Sequence, residues 1–131
     1  MHSLQRRQRG FTLLEVLVSL LVFSFGVLGM VALQARAVQF SVDAEDRTKA
    51  AAIANEVVTS MWAQRTLIVP SATITALETL ARNPAAGGLP NAAIAVTGAA
   101  SGVATVTITW KSPAKRASDP DSTYFTQVAM P

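Results

Sequence analysis

The sequence predicts an α+β fold, in which one long N-terminal helix, apolar and then amphipathic, packs on a small antiparallel sheet. Residues 16–33 carry no charge, and residues 34–66 contain neither proline nor glycine, so a helix can continue through both. Two runs rich in β-forming residues follow at 92–98 and 102–111, and a third at 123–130. Together these patterns favour a helix that joins a three-stranded head.

The apolar half of the helix has the length of a membrane span. As a helix, residues 16–33 extend roughly 27 Å, close to the ~30 Å hydrocarbon core of a bilayer. Their polar side chains are Ser19 and Ser24. Three arginines precede the span, so the positive-inside bias predicts a cytoplasmic N-terminus and a translocated C-terminal part; these are Arg6, Arg7 and Arg9.

The second half of the helix carries one apolar stripe at three- and four-residue steps, which predicts packing against the head. The stripe consists of Ala50, Ile53, Ala54, Val57, Val58, Met61 and Trp62. The charged residues at 43–49 are expected to face solvent. Pro70 is the first residue that must end the helix, which we expect to run from about 11 to 67. Trp62 and Trp110 are both expected to pack the helix against the sheet.

The head follows as a short helix and three strands. The helix is predicted from about Thr73 to Arg82, with Ser71 or Thr73 as its cap. A turn bounded by Gly98 and Gly102 joins the first two strands. Alternation in the second run places residues 104, 106, 108 and 110 on the core face and three threonines on the other.

Composition and residue types exclude several classes of function. Three of the eleven basic residues lie in the first ten positions, and the other eight balance the eight acidic residues, so no basic face for nucleic acid is expected. The chain has no cysteine and one histidine, His2, which excludes disulfides and histidine-based triads or zinc sites in the head. Asp119 and Asp121 lie on either side of Pro120 and indicate a turn. Two carboxylates are too few oxygen ligands for a calcium site. We therefore expect no enzyme activity, catalytic residue, metal or cofactor.

One acid, Glu15, interrupts the apolar segment, and the residues that lead up to it resemble a known processing signal. The junction "RGFTLLE", residues 9–15, resembles the class III signal of type IV pilins and related pseudopilins. The resemblance implies that a prepilin peptidase/methyltransferase cleaves between Gly10 and Phe11 and methylates the new Phe11 amine. It also implies that Glu15 is retained for assembly, where it pairs with the amine of a neighbouring subunit.

Two further stretches resemble the PilV-type minor pilins. They are "GVLGMVALQ" at 26–34 and "AAAIANEVVTSMWAQR" at 50–65. This resemblance implies a minor pilin that is anchored in the inner membrane with its head in the periplasm. Such a protein then joins other minor and major pilins in a fibre. The expected organisation is a leader at 1–10, a transmembrane and assembly half of the helix at 11–33, its amphipathic half at 34–69, and an α+β head at 70–131.

Two alternatives remain open at this point. A minor pseudopilin of a type II secretion system shares the same leader and helix. A conventionally secreted or anchored periplasmic binding domain is the other, because "ARA" at 35–37 matches a small-x-small site and allows cleavage after Ala37.

Overall fold

The computed structural model describes residues 9–113 and 115–130, with side chains from Thr12 onward, and confirms the α+β fold. The chain divides into two compact units, one up to Phe40 and one from Ser41, and helix α1 contributes to both. The elements in chain order are α1 (Arg9–Gln64), α2 (Ser71–Ala81), β1 (Ala93–Thr97), β2 (Val103–Trp110) and β3 (Ser122–Ala129), with single 3₁₀ turns at Pro84–Ala86 and Ala99–Ser101.

The sheet is antiparallel throughout, and its spatial order β1-β2-β3 is the chain order. Central strand β2 has the predicted alternation, with Ala104, Val106 and Ile108 fully buried and Trp110 nearly so. Gly98 and Gly102 flank the turn between β1 and β2, both at a φ of 81°. Glycine suits these positions because an L side chain is strained in the left-handed region.

The core of the second unit lies between the sheet and one face of α1. That face contributes Ala50, Ala54, Val57 and Met61, all essentially buried. Trp62 is 52% exposed, so its expected place against the sheet is wrong. At about 100° per residue, it lies about 120° around the helix from Ala50, beyond the edge of the buried face.

Helix α1 ends at Gln64, a few residues before the position expected from Pro70. Arg65 takes a left-handed φ of 51°. Its amide donates to the Trp62 carbonyl at 3.2 Å, and the Thr66 amide donates to the Met61 carbonyl at 3.1 Å. These two bonds form a Schellman motif with arginine at the position that glycine usually takes. Without that glycine the sequence gives no signal for the end of the helix.

Helix α2 begins at Ser71 and uses Pro70 as its N-cap, without a side-chain cap bond. The predicted capping role of Ser71 or Thr73 is therefore wrong. The Pro70 carbonyl accepts from the amides of Thr73 at 3.0 Å and Ile74 at 3.1 Å. Because Pro70 already supplies the first acceptor of the helix, Ser71 and Thr73 lie inside the first turn.

Glu78 on α2 and Arg82, directly after it, bond to backbone groups at the outer edge of β1 and just before that strand. The Ile94 amide donates to Glu78 Oε1 at 2.8 Å, and Arg82 Nε donates to the Ala92 carbonyl at 2.6 Å. Glu78 and Arg82 also form an ion pair at 3.5 Å. A strand edge exposes unpaired backbone groups that can recruit another strand, and these two side chains satisfy two of them.

The charged stretch before the core stripe is only partly solvated. Glu45 and Lys49 form an exposed ion pair at 2.8 Å, and the hydrogen bond from Lys49 lowers the pKa of the Glu45 carboxyl. Asp46 is only 6% exposed, so the solvent-facing expectation is wrong at this position. Its Oδ2 has no hydrogen-bond partner among the described residues.

The neighbouring residues Met61 and Trp62 give a direct test of which face of α1 is buried. We expect Met61→Ala to lower the free energy of unfolding by about 2–5 kcal/mol, because it leaves a cavity in the core. Trp62→Ala should change it by less than about 1 kcal/mol, since half of the side chain is already in solvent. Pulse proteolysis in urea on the detergent-solubilised chain measures both. Equal losses would contradict the assigned face.

Candidate functional site

The described part of the first unit is an exposed apolar helix. Among the described residues, one helix, Thr12–Gln64, is long and apolar enough to cross a membrane, with a mean hydropathy of 2.6 in its most apolar window. None of that window is buried. Membrane anchors and secretory signals share these properties, so the function of the segment depends on the residues in and around it.

Glu15 is the single charged residue between Thr12 and Ala35, and it is exposed. A shallow groove runs along its side of the helix, lined by Thr12, Glu15, Val16, Ser19, Leu20 and Phe23. These positions recur at three- and four-residue steps and therefore share one face. A carboxylate on such a face meets either lipid or another helix, and in both cases an unpaired charge is unfavourable.

The two serines of the segment differ in a way that the sequence does not reveal. The Ser24 hydroxyl donates to the Leu20 carbonyl at 2.7 Å, one turn back along the helix. Ser19 Oγ has no hydrogen-bond partner among the described residues, although it lies one turn after Glu15 on the same face. The polar surface of the segment is thus concentrated beside Glu15.

The residues of the expected cleavage site are only partly described. Arg6 and Arg7 lie outside the described residues, as do the side chains of Arg9 and Phe11. The backbone of Gly10 and Phe11 is helical and belongs to α1.

In the head, the side chain of Lys111 bonds to several groups of the loop that follows β2. Lys111 Nζ donates to the carbonyls of Ala117, at 3.3 Å, and Asp119, and it lies 3.4 Å from Asp121 Oδ1. Asp119 Oδ2 accepts from the Arg116 amide at 3.0 Å. The two aspartates considered for calcium are thus bonded to groups of the loop itself. No group of three or more potential ligands is positioned for a metal ion within residues 9–113 and 115–130.

The comparisons with known proteins bear on the N-terminal segment. Residues 5–31 match the family model described as the prokaryotic N-terminal methylation motif. This range contains Gly10, Phe11, Glu15 and Ser19. No curated protein and no solved structure matches the chain. The match supports a type IV pilin-like precursor with a membrane-anchoring helix, processed by a prepilin peptidase.

Lys111 gives a test of how the loop from 111 to 121 is held. We expect Lys111→Met to accelerate trypsin cleavage after Arg116 by about tenfold, because hydrogen bonds from a charged group are worth about 1.5–3 kcal/mol. Lys49→Met serves as the control, since Lys49 lies on α1 and pairs with Glu45. Mass spectrometry of the peptides gives both rates. An unchanged rate in Lys111→Met would mean that other contacts hold the loop.

Proposed function

We propose that this chain is the precursor of a minor pilin, which is cleaved and N-methylated, held in the inner membrane, and then incorporated into type IV pili to support assembly. One observation carries the proposal: Glu15 is an exposed carboxylate in an apolar helix, and it lies within the stretch that matches the methylation motif. A simple anchor gains nothing from a charge at this position. A helix that packs against other subunits can use it.

Processing in this proposal removes residues 1–10 and creates a new amine at Phe11. The leader arginines Arg6, Arg7 and Arg9 keep the N-terminus on the cytoplasmic side, where the peptidase/methyltransferase acts. The segment at 11–33 then serves as the assembly half of the helix, and the segment at 34–69 contains its amphipathic half, which ends at Gln64. Residues 70–131 serve as the periplasmic head. The continuity of α1 from Arg9 to Gln64 is compatible with this division.

Assembly in this proposal pairs the Phe11 amine of an incoming subunit with Glu15 of a subunit already in the fibre. Both groups lie in an apolar bundle, where charges attract more strongly than in water. Lateral packing replaces lipid around the helix with side chains of similar polarity, so the ion pair sets the register between otherwise featureless apolar surfaces. The role needs no catalytic group, which agrees with a structural rather than an enzymatic function.

The assignment to a PilV-type pilin rests on the stretches at 26–34 and 50–65. The same leader and helix also serve minor pseudopilins of type II secretion systems. The fibre that contains the protein decides between the two: pili support the proposal, and secretion pseudopili overturn the PilV-type assignment while leaving the processing intact.

The mature N-terminus tests the processing step. We expect mass spectrometry of the membrane or sheared-fibre fraction to find a chain that begins with N-methylated Phe11. Replacing Gly10 with a bulky residue, as in Gly10→Leu, should leave the uncleaved precursor, because glycine is the residue that the class III signal places before the cut. A chain beginning at Val38 would instead show a conventional signal peptide and remove the assembly role.

Glu15 tests the assembly step. Glu15→Ala and Glu15→Lys should leave membrane insertion intact but lower the amount in fibres by about a hundredfold or more, since removing one partner of a buried ion pair typically loses 3–5 kcal/mol. Glu45→Gln is the control, because Glu45 is an exposed glutamate of the second unit. Immunoblots of membrane and sheared-fibre fractions measure both steps. Normal incorporation of the Glu15 variants would rule out the register role.

A further inference from the structure

Among the described residues, Ser19 Oγ has no hydrogen-bond partner, and Ser19 lies in the segment proposed to pack against other subunits. Outside the apolar segment, water can satisfy such a group, but neither lipid tails nor apolar side chains can. In helices, serine and threonine usually resolve this by donating to a carbonyl one turn back. The chain does this at Ser24, Thr48, Thr59, Thr75 and Thr79. Ser19 does not, so its donor is available to another molecule.

The position of Ser19 relative to Glu15 indicates which molecule that is. In the proposed pairing, the first mature residue, Phe11, of an incoming subunit is level with Glu15 of its neighbour. Parallel helices rise equally per residue, so a four-residue offset at this level persists along both. The glutamate of the incoming subunit, four residues after its amine, is then level with Ser19. Both positions lie on the face that contains Glu15.

We propose that Ser19 is a positioning residue of the subunit interface, whose hydroxyl donates a hydrogen bond to the corresponding glutamate of the incoming pilin-like subunit. This inference rests on the proposed assembly function. The partner is a parallel apolar helix that carries an acid four residues after its mature N-terminus. Glu15 and Ser19 thereby form two successive polar contacts, one with the amine and one with the carboxylate of the same partner.

The chain contains a matched control for this contact. Ser24 has the same side chain in the same apolar segment, but its hydroxyl is bonded to the Leu20 carbonyl. It lies nine residues after Glu15, which places it about 180° around the helix. Ser19→Ala and Ser24→Ala make the same change of residue type, so their effects on the hydropathy of the segment are equal.

The test compares the fibre and membrane fractions of cells that express each full-length variant, with the mature N-terminus determined in the same samples. Ser19→Ala should lower the amount in fibres by roughly tenfold, as expected for a lost hydrogen bond to a charged group. Ser24→Ala should match the unmodified protein. Ser19→Thr, which keeps the hydroxyl, should restore incorporation. Ser19→Ala should add nothing further to the defect of Glu15→Ala if the two contacts act as one register device.

The outcomes separate this inference from the proposed function. If the mature chain begins at Phe11 and Ser19→Ala enters fibres as well as Ser24→Ala does, the Ser19 contact is wrong and the proposed function stands. The same holds if Ser19→Thr is as defective as Ser19→Ala, because the hydroxyl is then not the active feature. If the mature chain begins at Val38, both are overturned, since Ser19 is removed with the signal.

Discussion

A charge in an apolar environment must have a partner, and this constraint governs the N-terminal half of the molecule. Glu15 stands on a helix whose exposed surface in this segment is mostly leucine, valine and phenylalanine. Apolar side chains can slide past one another or past lipid with little change in free energy, because both surroundings are equally apolar. A carboxylate cannot slide in this way, because it loses its partner. It therefore favours one position of the neighbouring helix over the others. In the proposed interface, the hydroxyl of Ser19 adds a weaker selection of the same kind one turn away.

The second unit holds a small head on a helix without disulfides, since the chain has no cysteine. It does so by small residues, with Ala50 and Ala54 at the start of the buried face of α1 and Val57 and Met61 further along. These residues share one core cluster with Ala104, Val106, Ile108 and Trp110 of β2. On one side of the sheet, Glu78 satisfies the Ile94 amide from α2. The neighbouring helix thus both shields and satisfies the edge.

The parts of this fold that were predictable from sequence are those with a strong period. Alternation over β2 and the absence of helix breakers through Thr66 gave the correct elements, since each pattern has one structural solution. The errors occurred where three-dimensional context decides. Trp62 fits the helical stripe by spacing but lies at its flank, and Arg65 ends α1 in a conformation that arginine seldom takes. Buried Asp46 was missed because a charge run gives no indication of what covers it.

The candidate site also has a part that the sequence predicts and a part that it does not. The motif around Gly10, Phe11 and Glu15 can be recognised from sequence because its residue types and spacing are specific. The family-model match covers the same stretch. Helical spacing places Ser19, but not Ser24, on the face of Glu15. Whether each hydroxyl is bonded within the helix could not be predicted, because that depends on side-chain rotamers rather than on residue type.

The order of the strands has a consequence for how the head forms. Since β1, β2 and β3 are neighbours in the sheet in the order in which the chain supplies them, each strand can pair as soon as it is available. No strand must wait for a later one to be inserted beside it, and each pairing closes a short loop. Short-range pairings of this kind favour rapid folding. We expect the slow step in folding to be the contact between the completed sheet and the buried face of α1. That face precedes the sheet in the chain by dozens of residues. In this order of events the C-terminal sheet forms first and then packs onto the helix that precedes it in the chain.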